Sequence, residues 1–231
     1  MKKLIGLLAG LLMLASAHAE IVSFDFTAKI NVLRESGGRG NVTDVLTSSK
    51  AGIVYTIGDI IHGHFDYDTS TGLSYYGPAA PGGSYAQYDD STGHNSLSAA
   101  NSLAPILAPV PRPISLQVSN NVPNGWGDTF SIFRSGDYGD GKTQFSSVEF
   151  NDSTGHWLSN VAIPTAAQLS GASYALFRTH YYLSDYDSTL DVSATIISLT
   201  PTSAVPEPAS YAMLLAGLLA LSAIARRRRN G

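Results

Sequence analysis

From Val22 to Ile30 apolar residues occupy the even positions (Val22, Phe24, Phe26, Ala28, Ile30) and polar ones the odd (Ser23, Asp25, Thr27, Lys29). A period of two puts one set of side chains on each face of an extended strand, whereas a helix would need a period near 3.6. Runs of the same kind, rich in β-branched and aromatic residues, predict strands over Ile21–Leu33, Gly52–Tyr67, Ile114–Ser119, Thr129–Arg134, Ser146–Asn151, Ser173–Leu183 and Leu190–Leu199. Turn residues punctuate them at Asn124-Gly125, Gly139-Asp140-Gly141 and Asp152-Ser153-Thr154-Gly155. Strands of this number and spacing predict an all-β fold, a single β-sandwich with a barrel as the alternative. Jelly-roll and immunoglobulin-like arrangements both fit. Ser70 to Pro113, dense in Gly, Pro, Ser and Tyr, lacks alternation and exceeds an ordinary loop.

Both ends of the chain depart from that pattern. Met1-Lys2-Lys3, an apolar run from Leu4 to Ala15 and the small-residue site Ala17-His18-Ala19 ahead of Glu20 have the form of a secretory signal peptide, residues 1–19, cleaved after Ala19 by signal peptidase. At the other end Ala209 to Ala225 is uncharged, and as a helix it extends about 25 Å, enough to cross a bilayer's hydrocarbon core. Arg226, Arg227, Arg228 and Arg229 follow, and a basic cluster beside a span stays on the cytoplasmic side. The domain between, residues 20–200, is then exported, and 201–204 is a polar tether.

Composition sharpens the picture of that domain. All acidic residues but Glu207 lie within 20–204, while six of the 14 basic residues belong to the two ends, so 17 acids face 8 bases and the net charge is −9. Such a surface repels nucleic acid and suits neutral polysaccharide or cations. The chain has no cysteine, which removes disulfides, thiol catalysis and thiolate metal sites together.

Between the exported domain and the apolar run stands Val205-Pro206-Glu207-Pro208. A V-P-E-P box, an apolar helix and a terminal arginine cluster, in that order over 205–229, resemble the sorting signal of PEP-CTERM proteins of Gram-negative bacteria that make exopolysaccharide. That resemblance implies processing near the box by an exosortase, a membrane-embedded transpeptidase-like protein. It further implies inner-membrane anchoring before processing, then release to the cell envelope or extracellular matrix. A second likeness lies in Gly58-Asp59-Ile60-Ile61-His62-Gly63-His64-Phe65-Asp66-Tyr67-Asp68, similar to a G-D-x-x-x-G-x-F-x-Y-D segment of exported PEP-CTERM proteins, with Leu158 to Pro164 resembling a later companion segment. It implies a shared sandwich fold and no particular chemistry.

Candidate chemistry is sparse. Alternation places His62, His64, Asp66 and Asp68 on one strand face, residue types that ligate zinc and other divalent metals. Side chains two apart on a straight strand are about 7 Å apart, however, so a solvated polar face is the favoured reading and no metal is assigned. Asp137 with Asp140, Asp185 with Asp187, and Asp66 with Asp68 are oxygen donors of the kind calcium takes, without an EF-hand loop pattern. No G-x-S-x-G elbow occurs, His94, His156 and His180 stand without local partners, and no carboxylate pair is singled out for glycoside hydrolysis. Tyr75, Tyr76, Tyr85, Tyr88, Trp126 and Trp157 are amphipathic rings of the sort that stack on sugars. The expectation is a non-enzymatic exported protein with a structural or exopolysaccharide-binding role. Its competitors are a secreted polysaccharide-active enzyme and a calcium-stabilised adhesin-like module.

Overall fold

The structure, a computed structural model, describes residues 20–37, 41–79, 82–91, 93–100, 113–124, 126–137, 141–183 and 188–202. The signal peptide with Ala17 and Ala19, the Val205–Pro208 box, the run 209–225, Arg226 to Arg229, and Asp140, Asp185 and Asp187 lie outside the described residues. Among those described, no helix is long and apolar enough to cross a membrane.

Thirteen strands run through the described residues: β1 (Ile21–Gly37), β2 (Asn41–Asp44), β3 (Thr47–Ser48), β4 (Tyr55–Thr56), β5 (Ile60–Asp68), β6 (Leu73–Pro78), β7 (Ser84–Asp89), β8 (Ser96–Ala99), β9 (Ser115–Val122), β10 (Gly127–Asp137), β11 (Thr143–Asp152), β12 (Tyr174–Tyr182) and β13 (Thr189–Pro201). One short helix, α1 (Ala166–Leu169), interrupts them, entered through Thr165, whose N–H donates to Gln168 Oε1 at 2.9 Å. The predicted strand from Gly52 to Tyr67 is in fact two, because Thr56 to Asp59 turn back, with Thr56 N–H donating to Asp59 Oδ2 at 2.9 Å.

Apart from the small β3-β4 pair, the strands form a single antiparallel sheet in the order β6-β7-β9-β10-β11-β12-β13-β1-β5-β8, with β2 also paired to β1. The fold is nearly all β, as the alternation predicts. Where a sandwich of two sheets is expected, hydrogen bonding runs on without a break and the sheet curls over itself. Sheets this wide curl because strand twist accumulates. The two halves then face each other in sandwich-like fashion. Tyr67 and Phe65 of β5 meet Phe130 of β10 and Phe150 of β11 across the interior at ring separations of 5.0 and 6.0 Å. At one end Arg134 Nη1 of β10 donates to the Leu97 carbonyl of edge strand β8 at 2.9 Å.

Val22, Phe24, Phe26, Ala28 and Ile30 are all buried, as their even spacing requires. The register of β1 against β13 slips between Ile30 and Val32, so Leu33 instead of Val32 continues the core. An extra residue at a bulge reverses which face every later side chain takes. The described part of Ser70 to Pro113 forms the hairpin β6-β7, which adds to β9, and β8, which adds to β5. It therefore supplies both terminal strands of the sheet path.

Candidate functional site

The row His62, His64, Asp66, Asp68 does point outward from β5, opposite buried Ile61, Phe65 and Tyr67. Its neighbours come from β1, which pairs Asp25 with His64 and Thr27 with His62. His64 Nδ1 lies 2.7 Å from Asp25 Oδ1 and Nε2 lies 3.0 Å from Asp66 Oδ1. With a carboxylate at each nitrogen, only the doubly protonated ring donates to both, and in that form it has no lone pair for a metal. Burial pulls the His64 pKa down, but Asp25 and Asp66 together outweigh it and the net shift is upward. Asp66 is desolvated, yet hydroxyls from Ser23 and Ser96, with His64, lower its pKa. Among the described residues no three His, Asp or Glu side chains are grouped to hold a metal ion.

Other acidic side chains accept from backbone N–H groups and nearby hydroxyls. Asp128, wholly buried, accepts Asn121 N–H at 2.8 Å and Leu158 N–H at 2.7 Å. Asp152 accepts the Thr154 and Ser173 hydroxyls and the N–H groups of His156 and Thr154, which hold its carboxyl far below the ordinary range. Asp137 accepts the Thr143 hydroxyl. These carboxylates close turns.

The segment from Gly58 to Asp68 touches its later companion directly. Tyr67 Oη donates to the Pro164 carbonyl at 2.8 Å, and Phe65 is fully buried beside it. Gly63 faces the core beneath the Phe26 ring: a Cβ there would stand 2.2 Å from Phe26 Cζ and 2.7 Å from the Ser98 carbonyl oxygen. Tyr88 Oη to Val161 O and Asn120 Nδ2 to Leu158 O tie down the rest of 158–164. The paired segments are scaffold.

A different pattern appears on the outer face between β6 and β10. Tyr75, Tyr85 and Trp126, from β6, β7 and the β9-β10 turn, line one cleft of about 470 Å³ floored by Ser119 and Thr129. Tyr75 is 54% and Trp126 69% exposed. The Tyr75 and Tyr85 rings lie 6.0 Å apart and tilted by 49°. A relay on β7 fixes Tyr85: its hydroxyl donates to Gln87 Oε1 at 3.2 Å, and Gln87 Nε2 donates to Asp89 Oδ1 at 3.0 Å. Burial, then the nearby Asp89 charge, raises the Tyr85 pKa, so its hydroxyl stays a neutral donor. Of the other aromatics singled out, Tyr88 is turned toward the core side, Trp157 Nε1 donates to the Gln168 carbonyl at 2.6 Å, and Tyr76 stands exposed outside the cleft.

The family model for the PEP-CTERM protein-sorting motif matches residues 204–229, taking in the box, the apolar run and the arginines. The chain carries a PEP-CTERM sorting signal. That motif implies an exported protein, held at the membrane and then processed by an exosortase-type system. No curated protein and no solved structure matches the chain.

What the protein displays on its outer face continues past the cleft. A second hollow of about 570 Å³ crosses β9, β10, β11, β12, β13 and β1, with Gln117, Ser131, Glu149, Arg178 and His180 among its lining. Arg178 Nε sits 3.3 Å from Glu149 Oε2, and His180 Nδ1 bonds Asp191. Sequence reasoning noted His180 only as lacking a local partner and passed over Gln117, Ser131, Glu149 and Arg178, as over Ser119 and Thr129. Alternation alone marks them as outward-facing; their assembly depends on neighbours up to 161 positions apart (193 − 32), as between Val32 on β1 and Ser193 on β13.

Proposed function

We propose that the protein is a non-enzymatic component of the cell envelope or extracellular matrix that binds neutral exopolysaccharide through the Tyr75, Tyr85 and Trp126 cleft after its signal peptide is removed and its tail processed. The observation that carries this reading is the convergence of three aromatic rings, exposed Tyr75 and Trp126 and half-buried Tyr85, from three separate segments in one cleft floored by hydroxyls. Apolar ring faces over polar side chains match a sugar, whose C–H faces stack while its hydroxyls bond. The acidic domain charge favours an uncharged polymer over a polyanion.

The second hollow offers little to a hydrolytic alternative. Glu149 and Asp191 stand two strands and four residues apart in register, about 16 Å by strand spacing and rise, beyond the reach of a glycosidase pair. A binding role asks only for the cleft.

The test is affinity of the secreted protein for the exopolysaccharide of its own cells. Trp126→Ala should weaken binding roughly tenfold, the size of one good stacking contact, while leaving the melting temperature unchanged because the ring is exposed. Equal binding by the variant would overturn the assignment.

A further inference from the structure

The cleft and the second hollow adjoin. On β9 the cleft takes Ser119 and the hollow takes Gln117; on β10 the cleft takes Thr129 and the hollow Ser131. Residues two apart on a strand share a face, so the two floors are continuous. Register lines them up: Tyr85 pairs with Ser119 and Ser119 with Thr129, while in the adjacent row Gln117 pairs with Ser131 and Ser131 with Glu149. From β6 to β1 there are seven strand steps, about 34 Å measured along the curled sheet.

We propose that cleft and hollow form one track for a single extended strand of an uncharged linear polysaccharide, lying across the strands with several sugars held at once. This rests on the binding role assigned to the cleft. Aromatic rings stand at one end, where Tyr75, Tyr85 and Trp126 gather, and again part-way along, where Phe133 of β10 and Phe145 of β11 stack 5.7 Å apart. Beside and beyond that pair Gln117, Ser131, Ser147 and Ser193 present amide and hydroxyl groups. Each guanidinium in the track is already matched, Arg178 by Glu149 and Arg34 by Asp44 at 2.9 Å, so no surplus cation waits for a polyanion. Such pairs present planar donors and acceptors to sugar hydroxyls. The 49° tilt between Tyr75 and Tyr85 breaks any flat platform, which selects a free chain over a crystalline polysaccharide surface.

Titration calorimetry of the secreted protein with size-fractionated fragments of the neutral exopolysaccharide, from disaccharide upward, tests the track. Affinity should climb at least tenfold with length beyond what the cleft alone can hold. Ser131→Trp, which fills the middle of the track from an outward position on β10, should remove that gain and leave short-fragment binding intact. Arg178→Ala should act in the same direction and guards against misfolding of the first variant. A plateau at the shortest binding fragment, with Ser131→Trp and Arg178→Ala indifferent but Trp126→Ala impaired, overturns the track and leaves the cleft. Binding of no neutral fragment overturns both. A preference for uronate-bearing fragments overturns the uncharged ligand.

Discussion

His64 is held on both sides, by Asp25 across the strand pair and by Asp66 along its own strand. Its pKa is raised above the ordinary 6.5, so its contribution to stability is complete below that value and fades as pH rises through the raised one. Asp66 acts in the opposite sense: its pKa is depressed below 3.8, so it contributes above that value and the contribution disappears as pH falls through the depressed one. The window shared by both runs from about pH 4 to about pH 6.5. His64→Gln should therefore lower the denaturation midpoint at about pH 5.5 and change it much less at about pH 9. An equal loss at both values would show that the bracket does not depend on the imidazolium. The cross-strand Asp25 has no signature in the sequence near His64, since pairing 39 positions apart supplies it. Alternation marked the row as outward, and only the pairing with β1 made it a closed ionic group.

At the scale of elements, the turns depend on buried carboxylates. Where β10 begins, Gly127 has φ +59° and a Cβ there would lie 2.0 Å from the Asp152 carbonyl oxygen, so no other residue fits against the end of β11. Asp128 next to it binds both the β9-β10 turn and the segment from Leu158. Asp128→Ala leaves two backbone N–H groups without their acceptor, that of Leu158 in a buried site, and should cost about 2 kcal/mol of unfolding free energy, read from urea denaturation. A loss below about 0.5 kcal/mol, the scale of ordinary surface changes, would deny it that role. The strands themselves were legible where alternation was strict, as in Val22 to Ile30. They were not in Leu73 to Ala99, because edge strands with little burial carry little apolar pattern: in β6 only Gly77 is buried.

The whole molecule divides into a label and a cargo. The label is read from a short linear pattern by a processing system, and its chemistry needs no partner elsewhere in the chain. Replacing Pro206, Glu207 and Pro208 by alanine should leave the tail attached, so the product should be heavier by intact-mass measurement than the processed protein. An unchanged mass would sink the assignment of processing to the box. The cargo obeys a different logic, since its sheet is ordered by contacts such as β1 with β13, which join residues close to both ends of the domain.

The sequence by itself determined the destination and the class of fold. A sorting motif is local and contiguous, and strand alternation is set by backbone geometry at each residue, so both can be read along the chain. Tertiary structure decided the rest: the single curled sheet, the bulge that moved the core from Val32 to Leu33, and the outer face that gathers Tyr75, Tyr85 and Trp126. Those outcomes depend on register and twist, which are fixed only when distant strands pair.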